Sequence, residues 1–237
     1  MIDLRDIEQR HGEALLESVV AREPAAGPRP AVLVLHSWRG RSDSEIEVAR
    51  RLTALGYVGV ACDLYGKGLL GTNADECRAL MAPLMEDRML LRARLLHLVQ
   101  VVRELPEVDA QRVAAIGFCF GGLCALDLAR SGSDVRGIAS FHGLFTPIAT
   151  AKPASISAKV IAFHGWDDPM APPDEVVALG RELSAAGADW QIHAYGGAMH
   201  AFTNPGANDP AAGLLYNERV ARRAWVSLER FLQEAFT

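Results

Sequence analysis

The sequence predicts an α/β fold: a mostly parallel, twisted sheet with helices on both faces. Short apolar runs of strand length alternate with longer segments of helical spacing. The runs are nearly continuous in apolar character, as in strands buried on both sides. His36, Asp63, Cys119, His142, His164, Asp168 and His200 all stand at or just after the ends of these runs. In parallel sheets that edge is where ligands bind.

The elements follow in order. Ile7–Arg10 and Ala14–Arg22 flank His11-Gly12-Glu13 and read as a hairpin, although Ala14–Val20 also suits a helix. Pro24–Pro30 reads as a loop, too short for a domain boundary. Ala31–His36 is a buried strand. Ser42–Leu55 repeats apolar residues at Ile46, Ala49, Leu52 and Leu55, and Gly56 closes that helix. Tyr57–Cys62 is the next strand. Asn73 can cap a helix that Pro83 is expected to interrupt. Leu84, Leu91, Leu95, Leu98, Val102 and Leu105 then trace one helical face up to Pro106. Strand Arg112–Ile116 and helix Leu123–Arg130 come next, followed by strands Val135–Phe141 and Lys159–His164. Helix Asp174–Ala186, strand Asp189–Tyr195 and a final helix over about Ala211–Phe236 complete the chain.

At 237 residues the chain is read as one domain, 1–237, with no internal repeat. Apolar residues make up 50% and charged residues 22%, a globular balance. The net charge of −5 leaves no basic footprint for nucleic acid and no polybasic patch for a membrane. No run approaches the ~18 apolar residues of a spanning helix, and the charged start Met1–Asp6 lacks a signal-peptide core. Cys62, Cys77, Cys119 and Cys124 form no CxxC pair or zinc spacing, so a reduced, cytoplasmic setting without metal or cofactor is expected. Cys62 and Cys124 read as core, and Cys77 as a surface position. The expected partner is a small molecule, and the chain is read as a monomer or a small homo-oligomer.

Cys119 carries the most information. It lies in Gly117-Phe118-Cys119-Phe120-Gly121-Gly122, between an apolar strand and a helix. Strand, Gly-x-nucleophile-x-Gly, helix is the nucleophile-elbow layout of α/β-hydrolases, with Cys in place of Ser. The small neighbours leave room for a tight turn. A thiol at a helix N-terminus is favoured as thiolate. The bland reading, a buried cysteine on a glycine turn, weighs about equally on this motif alone.

Two further residues tip the balance. The chain order in this fold is nucleophile, acid, histidine. Asp168 follows one strand within His164-Gly165-Trp166-Asp167-Asp168-Pro169, and His200 follows the next strand before the last helix. Asp168 is favoured as the acid over its neighbour Asp167, because the turn around it positions its carboxylate. Oxyanion donors are expected from the backbone N–H groups of Phe120 and Trp38. Tyr65, His142 and Trp166 are candidate walls of a substrate pocket.

With Gly117–Gly122, the Asp168 loop, Met199-His200-Ala201-Phe202 and Asp63-Leu64-Tyr65-Gly66, the chain resembles the dienelactone hydrolase family from about Ile7 to Phe236. The resemblance implies an α/β-hydrolase with Cys119 as nucleophile, Asp168 as acid and His200 as base. It also implies cleavage of an ester or lactone through a thiolester. Type members carry a Glu where this chain has Ser37, and an Arg four residues after the histidine, where it has Asn204. Arg78 is the match implied for a second substrate arginine, and Arg39 is a candidate replacement cation. The expected activity is therefore carboxymethylenebutenolidase-like with an altered substrate preference.

Two other readings compete. His36, His142 and His164, with Asp168 or His200, could hold a catalytic metal. Alternatively, a degenerate hydrolase could serve as a binding module or thiol redox sensor through Cys119.

Overall fold

The computed structural model describes residues 2–24, 27–148 and 155–237, so Ala25 and Ala26 of the proline-rich loop lie outside the described residues. The chain divides into two compact units, Met1–Ile116 and Gly117–Thr237.

In the first unit the strand order is β1-β2-β4-β3-β5. β1 (Asp3–His11) and β2 (Ala14–Arg22) form an antiparallel hairpin closed at His11↔Ala14. The turn needs Gly12 at φ 61°, a region that costs a side-chain-bearing residue dearly. Ala14–Val20 is thus strand, its helical pattern overridden by pairing. β3 (Arg29–Leu35) runs parallel to β4 (Val58–Cys62), in register from Ala31↔Val58 to Leu35↔Cys62. Between them lies α1 (Asp43–Ala54), opened by a capping box of Ser42 and Glu45. It packs so closely that a Cβ on Gly59 would come within 2.2 Å of the Ala49 carbonyl oxygen.

Pro83 does not interrupt the next helix. α2 runs over Ala74–Glu86 with Pro83 inside it, capped by Asn73. The proline stands in the last turn, where the loss of its N–H removes one bond. Its carbonyl still accepts from the Asp87 N–H at 3.0 Å. The break comes at Asp87, whose side chain caps α3 (Arg88–Arg103) through the Leu90 N–H. Leu91, Leu95, Leu98 and Val102 are buried along α3, as their spacing predicts. Cys77, expected at the surface, is buried in α2, its backbone and Sγ packed on Gly71. β5 (Val108–Phe118) extends the predicted strand at both ends and leads into the second unit.

The second unit continues with α4 (Phe120–Arg130) and three parallel strands: β6 (Gly137–Phe141), β7 (Lys159–Gly165) and β8 (Trp190–Tyr195). α5 (Pro173–Ala185) joins β7 to β8. Phe141 stacks between Phe118 and Phe163 at centroid distances of 4.9 and 4.5 Å, and Trp225 packs beside it. The last helix, α6 (Glu218–Ala235), starts later than its apolar pattern predicts. Ahead of it stand the short strands β9 (Asn208–Asp209) and β10 (Leu214–Leu215), with a 3-10 turn at Pro210–Ala212 between them. Gly213 at φ 75° ends that turn, and Asn217 caps α6 through the Val220 N–H. Leu228 and Leu232 of α6 are fully buried. Each such leucine stabilises the fold by about 1.5–3 kcal/mol. Among the described residues, no helix is long and apolar enough to cross a membrane.

Candidate active site

Cys119 stands between β5 and α4 at φ 56°, ψ −116°. A side-chain-bearing residue rarely adopts this backbone, and its strain persists only where the surroundings impose it. Here they do. The Cys119 N–H donates to the Phe141 carbonyl at 3.0 Å, and the Cys119 carbonyl accepts from the Gly122 and Leu123 N–H groups. The glycines on either side are sterically required. A Cβ on Gly117 would lie 1.9 Å from the Gly121 oxygen, and one on Gly122 would lie 2.7 Å from both the Gly143 Cα and the Ser140 Oγ. Of the four cysteines, Cys62, Cys77 and Cys124 are buried, whereas Cys119 is partly exposed. Burial pushes the Cys62 thiol far above its ordinary range, which fits inert core.

Asp168 lies in the turn after β7. Its Oδ1 accepts from the Met170 N–H at 2.8 Å, and its own N–H donates to the Gly165 carbonyl. Its Oδ2 lies 2.7 Å from His200 Nδ1, with both side chains buried. Asp167, the alternative acid, is exposed, and its N–H donates to the Ala198 carbonyl. Gly165 lets the two loops close on each other, since a Cβ there would meet the Ala198 and Met199 oxygens at 2.6 and 2.7 Å.

His200 is fixed by its own backbone. Its N–H donates to the Gly213 carbonyl at 2.9 Å, and its carbonyl accepts from Leu215 at 3.1 Å. Burial lowers the basicity of the ring, but the Asp168 and Cys119 side chains outweigh it and push the pKa up to about 10. Nε2 is buried without a hydrogen bond of good geometry, although the Cys119 sulfur acts on the ring. The Cys119 side chain is thus close enough to favour the protonated ring. An acid–imidazole pair beside a partly exposed sulfur on a strained turn can generate a nucleophile.

The model of the dienelactone hydrolase family matches residues 16–236. This chain belongs to the dienelactone hydrolase family. A proposed carboxymethylenebutenolidase of Aquifex aeolicus is 30% identical over 201 residues, spanning 83% of this chain and 84% of that protein. Among solved structures, m3DLH is 35% identical, with a TM-score of 0.94 over 100% of this chain and 99% of its own. The dienelactone hydrolase-like promiscuous phosphotriesterase P91, from metagenomic libraries, is 33% identical, with a TM-score of 0.94 over 100% and 99% of the two chains.

The other candidate site residues of this dienelactone hydrolase family member fall in varied settings. Phe120 is the first residue of α4 and is fully buried. His142 is buried, its ring 5.1 Å from that of His200. Trp166 is 43% exposed beside the acid turn, and its N–H donates to the Tyr195 carbonyl. Asn204 turns inward on its own loop and accepts from the Gly206 N–H. In the first unit, Tyr65 is buried, and its hydroxyl donates to the Trp38 carbonyl at 3.0 Å. Ser37 is half-buried, and its carbonyl accepts from the Gly40 N–H. Arg39 donates through Nε to the Gly71 carbonyl at 3.0 Å. Arg78 is exposed and pairs with Asp75 one turn back on α2.

Among the described residues, no group of three or more His, Cys, Asp or Glu side chains is arranged to hold a metal ion. Sequence reasoning passed over Thr203, which meets the His142 Nε2 at 2.8 Å. It also passed over Ala201, which adopts φ 57° directly after His200. Neither residue type signals its role in the sequence.

Proposed function

We propose that this protein hydrolyses carboxylic esters or lactones through a thiolester on Cys119. The observation that carries the reading is the buried contact of Asp168 with His200 Nδ1, together with the partly exposed Cys119 on its strained turn, whose side chain raises the basicity of the same ring. His200 takes the Cys119 proton, or already holds it in an ion pair with the thiolate, and Asp168 stabilises the imidazolium. The thiolate attacks the acyl carbonyl, and a tetrahedral oxyanion forms. The Phe120 N–H, at the start of α4, is assigned as a donor to that oxyanion. The Trp38 N–H, in the loop after β3, is assigned as the second donor from its place in the chain order. The intermediate then collapses, His200 protonates the departing enolate or alkoxide, and the thiolester remains. Water, deprotonated by His200, attacks the thiolester, releasing the acid and restoring the thiol.

Ser37 and Asn204 stand where type members carry Glu and Arg, which supports a substrate other than a carboxylate-anchored dienelactone. Trp166, at the rim of the acid turn, and Tyr65 are assigned to the substrate wall, Arg39 is kept as a candidate replacement cation, and Arg78 keeps the substrate assignment that the resemblance implies. Four cysteines outside any disulfide support a reducing, cytoplasmic setting. The family match across 16–236 supports a single folding domain.

The likeness to P91 favours a second activity at the same sulfur, turnover of activated phosphotriesters. The thiolate would displace the phenolate at phosphorus, and water would then release the phosphodiester.

The test is a panel of dienelactone, aryl esters, thioesters and an aryl phosphotriester, each run with Cys119→Ala. Turnover of at least one substrate, abolished by the substitution, is expected. Retained turnover in Cys119→Ala would overturn the nucleophile. Stoichiometric labelling of the thiol without turnover would instead support the sensor reading.

A further inference from the structure

The end of β6 touches both halves of the proposed catalytic pair. The Phe141 carbonyl accepts the Cys119 N–H at 3.0 Å. The next residue, His142, packs its ring edge-to-face on His200 at 5.1 Å, with an interplanar angle of 63°. His142 also meets Phe202 at 5.2 Å and 83°, and its Nε2 lies 2.8 Å from Thr203 Oγ1. It therefore contacts the His200 loop at three residues.

Two observations set His142 apart from ordinary packing. The first is its backbone, held at φ 37° while its N–H donates to the Phe163 carbonyl at 2.8 Å. Such strain persists only where the surroundings impose it. The second is its protonation. Nδ1 is buried with no partner. A proton on Nδ1 would leave a buried donor unpaired, so the neutral ring that donates from Nε2 to the Thr203 hydroxyl is the form that fits. Burial and the neighbouring His200 charge both hold the His142 pKa well below its ordinary value.

We propose that His142 is a positioning residue for His200, latching the loop of the base to the strand that carries the nucleophile's backbone partner through the His142–Thr203 hydrogen bond. A neutral ring supports the imidazolium face without competing for its proton. The inference rests on the reading of His200 as the base for Cys119. The titratable groups around His200 are Asp168, Cys119, His142 and His164.

The experiment compares Thr203→Val, His142→Phe, the double variant and His142→Gln on an aryl ester that the wild type turns over. Each single substitution is expected to lower kcat by about 10- to 100-fold, the scale of a misplaced catalytic group, while KM and the melting temperature hold. The double variant should lose no more than the worse single one, because both remove one bond. Alkylation of Cys119 by iodoacetamide should shift to higher pH in both single variants, since a loosened His200 holds the thiolate less well. His142→Gln, which can still donate to Thr203, should recover part of kcat. Wild-type kcat and alkylation profiles in Thr203→Val would overturn the proposal. So would a lowered melting temperature with an unmoved alkylation profile. Should His142→Phe fail to fold, Thr203→Val decides alone. If Cys119→Ala stays active, the base reading has failed. If Cys119→Ala is dead and Thr203→Val is unaffected, only the latch has failed.

Discussion

The two units handle sharp turns in different ways. Among the described residues of Met1–Ile116, every positive φ falls on glycine: Gly12, Gly40, Gly56, Gly66 and Gly68. Gly117–Thr237 uses glycines too, but it also forces Cys119, His142 and Ala201 into that region. One is the proposed nucleophile, one packs on the proposed base and one follows it. A turn that only reverses the chain can use the cheapest residue. A turn that must also present a side chain cannot use glycine, and the surrounding contacts have to impose the strain. The contrast marks out the turns of the proposed site without reference to any substrate.

The sharpest way to break this contrast is to damage the second unit's chemistry without touching its backbone. Asp168→Asn should lower kcat by about 10⁴-fold by misorienting His200, as in other triads. Asp167→Asn should leave kcat unchanged. The opposite pattern in steady-state kinetics would move the acid to Asp167.

Next comes the elbow itself. Gly117→Ala places a methyl 1.9 Å from the Gly121 oxygen, so the backbone must shift. A loss of stability of about 1–3 kcal/mol is expected, with turnover reduced by about 100-fold. Urea unfolding and ester kinetics on the same sample check both.

A smaller effect lies in the pH dependence of stability. The His200 pKa is raised from 6.5 to about 10 in the fold, so the native state binds the proton more tightly than the unfolded chain. That stabilisation is fully present below about pH 6.5 and is lost as pH rises through about 10. Relative to His200→Gln, the wild type should lose stability across this window in urea titrations. In Cys119→Ala the slope should be shallower, since the sulfur contributes to the shift.

The smallest effect is expected in the first unit. Gly12→Ala meets no atom within 4 Å but must adopt φ 61°. The expected cost is about 1–2 kcal/mol with turnover unchanged. A loss of turnover there would contradict a purely structural turn.

Much of this was legible in the sequence because short rules govern it. The tight turn reads out because the clearance at Gly117 is local, set by the Gly121 backbone, whereas Gly122 is confined by Gly143 and Ser140 from farther along the chain. Asp168 and His200 read out because each follows a strand at the edge where ligands bind. The misses have a different origin. Pro83 looks like a breaker, yet in a last turn it removes a single bond, so α2 runs on to Glu86. Ala211 and Ala212 look helical, but Gly213 in the left-handed region delays α6 until Glu218. The environment of Cys77 depends on its contact with Gly71, which helical spacing does not encode. The His142–Thr203 contact joins residues 61 apart in the chain, and no local pattern announces it.

The anchoring of His200 has one more consequence. Its N–H and carbonyl are gripped from the far side of a loop, by Gly213 and Leu215. The imidazole is therefore moored at the neck of that loop rather than along its span. Within that span β9 pairs with β10 through Leu214↔Asp209 and Leu215↔Asn208, so changes that spare this pairing should leave the base at anchor.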